Sequence, residues 1–580
     1  MKIIIFGIIL LYCRASTTNI VIGVDGGTES IRACCFNADT GEVVGKSSAS
    51  QYKTIHPHPG WAEQNPADWW NGLGKAVRGA LSTLKGTGDY SIKGICIDTT
   101  CCSVLALDEN HEPLRPCLLW MDQRSAPQTQ EILDMARGDP SLEVNGNGDG
   151  PISAEWMTPK SLWLKQNEPE VWNSAHVICE YQDYINYRLT GVLCASSCNA
   201  AARWHWDGKD CLQKGKGRPL SLYQKLGMSE LASKLPSDCI AMGKPIGNGL
   251  TKEAATFLNL PVELPVLQGG PDAFVGMIGL GCVFDGKLCL ITGSSHLHCV
   301  VTSQASRSKG IWGAYRGAPL PHLNFAEGGQ SSTGSIMRWA KNVLFGNSER
   351  SYEELDEAAA KIEPGSGGLV ALETFQGSRT PVTDPLARGA LLGLTLSHTQ
   401  AHIWRACLES VCYGTRACTE GLAAAGHECD EIILAGGVTN SPLWLQLHAD
   451  ITGKPVIVCE TTNAPLLGCA ILASVGTGIH DSIEQAVKAM VRTCQRIEPD
   501  PKRAQLYSDL YEKTYAKVSP AVRPVMHAIG ALRGGGSGGN NAIISPSLLS
   551  SNWAEMAAEV RKVFDLLMTL THKDLNTSHR

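Results

Sequence analysis

Apolar positions first cluster at Ile20-Val21-Ile22-Gly23-Val24, a short run rich in β-branched residues that predicts a buried strand. Asp25-Gly26-Gly27-Thr28 interrupts it and residues 30–36 resume the pattern, so the unit reads as a hairpin around a glycine-rich turn. The same design returns at residues 287–291, Thr292-Gly293-Ser294-Ser295 and residues 296–301. One strand–glycine–strand unit is common, but two of one design predict two related domains facing each other. A third glycine element, Ile432 to Pro442, reads as strand, turn at Gly436-Gly437, and helix with Ser441 as N-cap and Pro442 at the first helical position. That helix, residues 443–452, stops at Gly453. A helix N-terminus behind paired glycines suits an anion or a nucleotide. Helical patterning also starts at Asn65-Pro66-Ala67-Asp68 and runs over residues 400–425. Strands alternating with helices give an α/β class, with the junction between halves expected near residues 260–285.

A chain of 580 residues holds roughly two to four domains. With 43% hydrophobic and 18% charged residues it buries large cores and is not intrinsically disordered. The net charge of −6 leaves no global basic field for nucleic acid or an anionic membrane, which favours a small-molecule partner. The 22 cysteines include adjacent pairs, Cys34-Cys35 and Cys101-Cys102, inside apolar runs, and no CxxC occurs. A zinc site or disulfide framework would show spaced, loop-borne pairs, so reduced and buried thiols are expected. Residues 1–18 contain Met1-Lys2, an apolar run and Cys13-Arg14-Ala15, the form of a secretory signal or of a wrongly placed start. The run is too short to span a bilayer. The expected location is cytoplasmic, with organellar or secretory routing as the alternative if the segment is genuine.

Few stretches carry chemistry. The glycines of Gly41-Glu-Val-Val-Gly45-Lys46-Ser47 are three residues apart where a P-loop needs four, so this is read as a plain turn. Asp272, in Gly269-Gly270-Pro271-Asp272-Ala273, follows an apolar strand and opens a small-residue helix. It is either a helix cap or a general base for a hydroxyl proton. Asp25, at a strand end, suits a magnesium contact beside phosphates. Trp120-Met121-Asp122-Gln123-Arg124 offers an indole face, a carboxylate and a guanidinium, which is sugar-binding chemistry or else a surface ion pair beside a half-buried Trp. His296 and His298 alternate onto one strand face without a third ligand nearby, which reads as packing, not metal.

These motifs together resemble the FGGY carbohydrate kinases over residues 20–521, in the family's order. They are Gly23-Val24-Asp25-Gly26-Gly27-Thr28 with Ser30 and Arg32, Trp120-x-Asp122-x-Arg124, Gly270-Pro271-Asp272-Ala273, Thr292-Gly293-Ser294-Ser295, and Gly436-Gly437 with Ser441, Trp444 and Ala449-Asp450. Gly389 to Leu394, His402-Ile403 and Ala406 to Glu409 match the C-terminal signature. Three departures, Cys407, Ser161 and Gly-Ser-Ser for the commoner Gly-Thr-Ser, remove no catalytic group. The resemblance implies two ribonuclease-H-like domains of the actin and hexokinase type around a cleft. Residues 19–270 would form the sugar-binding domain and 271–525 the nucleotide-binding domain.

It further implies ATP-dependent phosphorylation of a sugar hydroxyl with Asp272 as base and Asp25 organising Mg²⁺. Gly26, Gly27, Thr28, Arg32, Gly293, Ser294, Ser295, Gly334, Gly436, Gly437 and Ser441 would line ATP. Asp98, Thr100, Trp120, Asp122, Arg124 and Asp272 would contact the sugar. Residues 97–104, Ile-Asp-Thr-Thr-Cys-Cys-Ser-Val, are similar to a ribulose-kinase segment, although Cys102 breaks its form. A ketopentose is expected, D-ribulose first and giving ribulose 5-phosphate, with xylulose or a polyol (erythritol, ribitol) behind. A non-catalytic sugar sensor on the same fold is the rival class. The partners expected are sugar and ATP, not nucleic acid or membrane, and a homodimer is compatible with them. Residues 533–540 read as a flexible glycine-rich linker. Residues 541–580 resemble the first strand and helix of ribulose-phosphate 3-epimerase, a remnant too short to close a barrel.

Overall fold

The structure is a computed structural model that describes residues 17–534 other than 87, 149 and 305. The N-terminal apolar run, the linker from residue 535 and the epimerase-like tail lie outside them.

Two sheets share one plan. In the first, β1 (Thr18–Gly26), β2 (Ser30–Asn37) and β3 (Val43–Gln51) form an antiparallel meander. β4 (Tyr90–Thr99) joins β1 in parallel and β5 (Val266–Leu267) joins β4, giving the order β3-β2-β1-β4-β5. In the second, β6 (Gly286–Thr292), β7 (His296–Thr302) and β9 (Asn324–Gln330) form the meander, with β8 (Trp312–Arg316) at its edge. β10 (Cys429–Gly436) and β11 (Val456–Cys459) follow in parallel, and β12 (Thr493–Ile497) closes the far edge antiparallel. The repeated order, meander then two parallel strands, is the mixed α/β two-domain plan expected from the paired glycine hairpins.

Alternation along the strands decides which face meets which layer. Ile20, Ile22 and Val24 of β1 point outward and pack under α1 (Pro66–Ser82), α2 (Tyr181–Thr190) and α3 (Lys252–Leu258). Val21, Gly23 and Asp25 point inward. There the sheet meets α4 (Asp272–Gly279) and, from far along the chain, α7 (Ala464–Gly476). α5 (Gln400–Ala424) and α6 (Pro442–Thr452) cover the outer face of the second sheet. The α4–α7 pair therefore lies between the sheets, and one apolar core runs through both lobes.

Glycine makes this fit possible. A Cβ on Gly23 would stand 2.2 Å from the Leu466 carbonyl oxygen, one on Gly279 2.0 Å from that of Ala464, and one on Gly468 2.0 Å from that of Val275. Backbone thus rests on backbone at three points, where a single methyl group would force the layers apart. The described cysteines are free thiols, buried apart from half-buried Cys101 and Cys239 and exposed Cys494, as expected for small core hydrophobes. Among the described residues no helix is long and apolar enough to cross a membrane.

Candidate active site

Three carboxylates meet where the parallel strands of the first sheet end. Asp25 and Asp98 are register partners on β1 and β4. The loop after β5 delivers Asp272, because the Thr99 N–H donates to the Gly270 carbonyl and Thr99 bridges Pro271. Open α/β sheets place ligands at such carboxyl ends of strands. Arg32 Nη2 donates to Asp25 Oδ2 at 2.6 Å and is the guanidinium facing this group. Burial, then the neighbouring Asp25 charge, pushes the Asp272 carboxyl up to about 6. Burial also raises Asp25, against the pull of Arg32.

The second hairpin is an exposed loop of bare backbone and hydroxyls. Gly293, Ser294 and Ser295 lie at the surface, while the loop is gripped from behind. The Gly293 carbonyl accepts from the Gly334 N–H, and the Ser294 carbonyl accepts from the Thr333 and Ser335 N–H groups. A Cβ on Gly334 would stand 2.4 Å from the Gly293 oxygen. Gly436 pairs in register with Thr292 at φ +100°, and Gly437 has open space where its side chain would be. Three of the expected ATP motifs, the Gly293–Ser295 hairpin, Gly334 and the Gly436-Gly437 turn, thus converge on one patch of the second lobe. Backbone N–H groups and hydroxyls without side-chain bulk form a cradle that fits phosphate.

Other expected contacts differ. Asp122 and Arg124 form a fully buried bidentate pair, with Nε to Oδ1 and Nη2 to Oδ2 both at 2.8 Å. Arg124 also meets Glu63 and lies 3.7 Å from the Trp61 ring centroid, and Asp122 accepts from the Ala62 N–H. The facing partners are internal, so this pair braces the loop, while the buried Arg124 Nη1 has no hydrogen-bond partner. Asp98 is likewise fully enclosed, with Oδ2 accepting from the Cys469 thiol of α7 at 3.2 Å, and lies behind Asp25. Burial and its acidic neighbours raise its pKa well above the carboxylate range. The Thr100 hydroxyl is buried against Ser103. Trp120 remains half-buried, its indole N–H donating to the Thr28 hydroxyl at 3.0 Å, which joins the expected sugar loop to the first hairpin.

Ser441 caps α6 through the Trp444 N–H and also donates to Asp356 at 2.5 Å, so its hydroxyl is already committed. His296 and His298 pack in the second lobe's interior, and α6 brings His448 within 5.8 Å of the His296 ring, a neighbour that strand alternation did not reveal. No metal-ligating cluster occurs among the described residues.

Sequence reasoning missed Arg203 and Glu327, one from each lobe. They pair at 2.8 and 3.0 Å with Tyr315 donating to the same carboxylate, and the guanidinium lies 5.6 Å from the ring of Phe274, two residues from Asp272. Glu327 stands seven residues before Gly334 in the same stretch, Glu-Gly-Gly-Gln-Ser-Ser-Thr-Gly, but Arg203 carries no local signal.

This geometry defines a two-lobed α/β protein of the ribonuclease-H-like type with strand-end carboxylates in one lobe and a glycine–hydroxyl cradle in the other. Residues 20–279 match the FGGY family of carbohydrate kinases, N-terminal domain, and residues 288–477 match its C-terminal domain; the chain belongs to this family. A ribulokinase from Halalkalibacterium halodurans is 30% identical over 545 residues, covering 86% of this chain and 94% of that protein. An FGGY carbohydrate kinase domain-containing protein from Xenopus laevis is 29% identical over 539 residues, covering 85% and 94%. The crystal structure of a xylulose kinase from Rhodospirillum rubrum superposes with a TM-score of 0.77 at 28% identity, covering 88% of this chain and all of that one.

Proposed function

We propose that this carbohydrate kinase moves the γ-phosphoryl group of ATP to a hydroxyl of a ketopentose, with D-ribulose the first choice and ribulose 5-phosphate the product. The observation carrying this is Asp272, a half-buried carboxylate raised to about 6 at the meeting point of the strand ends. It accepts the hydroxyl proton as the new O–P bond forms and the γ-phosphorus separates from the β–γ bridging oxygen, which leaves on ADP. Thr28, Ser294 and Ser295, with the backbone at Gly26, Gly27 and Gly293, hold the phosphates. Gly334, Gly436 and Gly437 flank the nucleotide, and Ser441 keeps α6 in place beside it. Asp25, a carboxylate at the strand end beside a single guanidinium, has the oxygen chemistry of a hard divalent cation's ligand and is the residue that would hold Mg²⁺. Such an ion, when bound, neutralises charge building on the phosphates.

Trp120 supplies the sugar's apolar wall, with Arg203 and Glu327 closing the pocket from both lobes. D-ribulose is favoured by the residue 97–104 segment and by the relative named ribulokinase. ADP release across a panel of ketoses and polyols tests the choice: D-ribulose is expected to show the highest kcat/KM. A higher value for xylulose, erythritol or ribitol overturns the sugar, and no turnover on any of them overturns the kinase reading in favour of a sensor.

The cradle has its own test. Gly334→Ala is expected to raise the KM for ATP about tenfold, a loss of roughly 1.4 kcal/mol, because its methyl collides with the Gly293 carbonyl. Gly437→Ala meets no protein atom, so it is expected to leave Tm unchanged and to raise that KM only through the space the nucleotide would fill. Steady-state kinetics with ATP varied compares the two.

A further inference from the structure

Lys160 is fully buried, in helix Met157–Asn167, yet its ammonium is held by carbonyl groups and not by a carboxylate. Nζ donates to the carbonyls of Cys102 at 2.8 Å, Trp120 at 3.2 Å and Leu119. Those carbonyls come from the two loops that flank the sugar side of the cleft. Glu180, equally buried, grips the same residue from its other side: it accepts the Cys102 N–H at 3.0 Å. It also accepts from Asn199 at 2.7 Å and from the Trp204 indole, which fixes helix Ser197–Arg203 and hence Arg203.

Cys102 sits at φ +60°, a left-handed conformation that a side chain rarely adopts unless its surroundings impose it. Lys160 and Glu180 impose it, taking the carbonyl and the N–H of one residue from opposite sides. Burying an ammonium is unfavourable unless its protons are satisfied, and here all three are, by carbonyls drawn from two loops. Trp120 passes the constraint on to Thr28.

We propose that Lys160 and Glu180 are positioning residues that set the sugar-side wall, Cys101-Cys102 and Trp120, against the phosphate hairpin, and so govern affinity and selectivity for the sugar but not for ATP. This rests on the sugar lying against Trp120, as in the reading above. Lys160→Met is expected to raise the sugar KM at least tenfold and to narrow the preference between D-ribulose and D-xylulose. KM for ATP and the sugar-independent hydrolysis of ATP should stay within threefold. A purely structural lysine would lower stability without this split.

Lys160→Met/Glu180→Gln removes both buried charges together and keeps the fold if the single variant does not. Trp204→Phe deletes one donor to Glu180 and is expected to raise the sugar KM severalfold. Parental sugar KM and selectivity in a variant with parental Tm, or in Trp204→Phe, overturns the proposal. Trp120→Ala separates the two readings. If it raises the sugar KM while the Lys160 variants do not, the clamp is wrong. If neither moves it, the wall itself is misplaced.

Discussion

Asp272→Asn is expected to lower kcat for sugar phosphorylation by about 10²–10⁴ while ATP still binds, since the base acts on the hydroxyl proton and not on the nucleotide. Asparagine keeps the size of the side chain and its place at the start of α4, so the fold and the nucleotide cradle persist. The parent enzyme should carry the matching pH signature. Asp272 works deprotonated, and burial with the nearby Asp25 charge lifts it to about 6, so kcat falls as pH drops through that value and levels above it. An aspartate left at its ordinary value would hold nearly full activity down to about pH 5 and lose half of it only near pH 4. Turnover within a few fold of the parent in the asparagine variant would falsify the assignment and return Asp272 to a helix-capping role.

Arg124→Ala is expected to destabilise the protein by about 3–5 kcal/mol, because it leaves Asp122 with uncompensated charge in a sealed site and Glu63 with only its Arg115 partner. It also empties the space between the Trp61 and Trp163 rings. Denaturant unfolding reads the loss directly. A guanidinium that touched sugar would instead raise the sugar KM at unchanged stability, and that result would restore the ligand reading.

The Arg124 contrast shows where sequence stops. Turn chemistry is local, so the Asp25–Thr28 and Thr292–Ser295 hairpins, the Gly436-Gly437 turn and the Ser441 cap were legible from neighbouring residues alone. The repeated meander followed from them. Burial depends on what the rest of the chain lays over a residue. Asp98 reads as a polar residue at a strand end, and only α7, several hundred positions later, seals it with Cys469. Asp122 and Arg124 have sugar-binding chemistry, but Trp61, Glu63 and Trp163 enclose them. Arg203 meets Glu327 across the two lobes, a pairing that neither stretch foreshadows. Local sequence therefore marks the groups that backbone geometry presents and does not foretell which of them tertiary packing encloses.

The position of α7 also sets the order in which the protein is completed. Val21, Cys34, Phe36 and Cys96 make the inner face of the first sheet apolar, and the helix that covers them is Ala464–Gly476. A ribosome adding roughly 5–20 residues per second finishes that sheet's long strands well before it reaches α7, leaving the face bare for about 20 seconds or more. The first lobe is thus synthesised early but closed late, and during the wait its uncovered face is the surface on which a chaperone would act and aggregation would start.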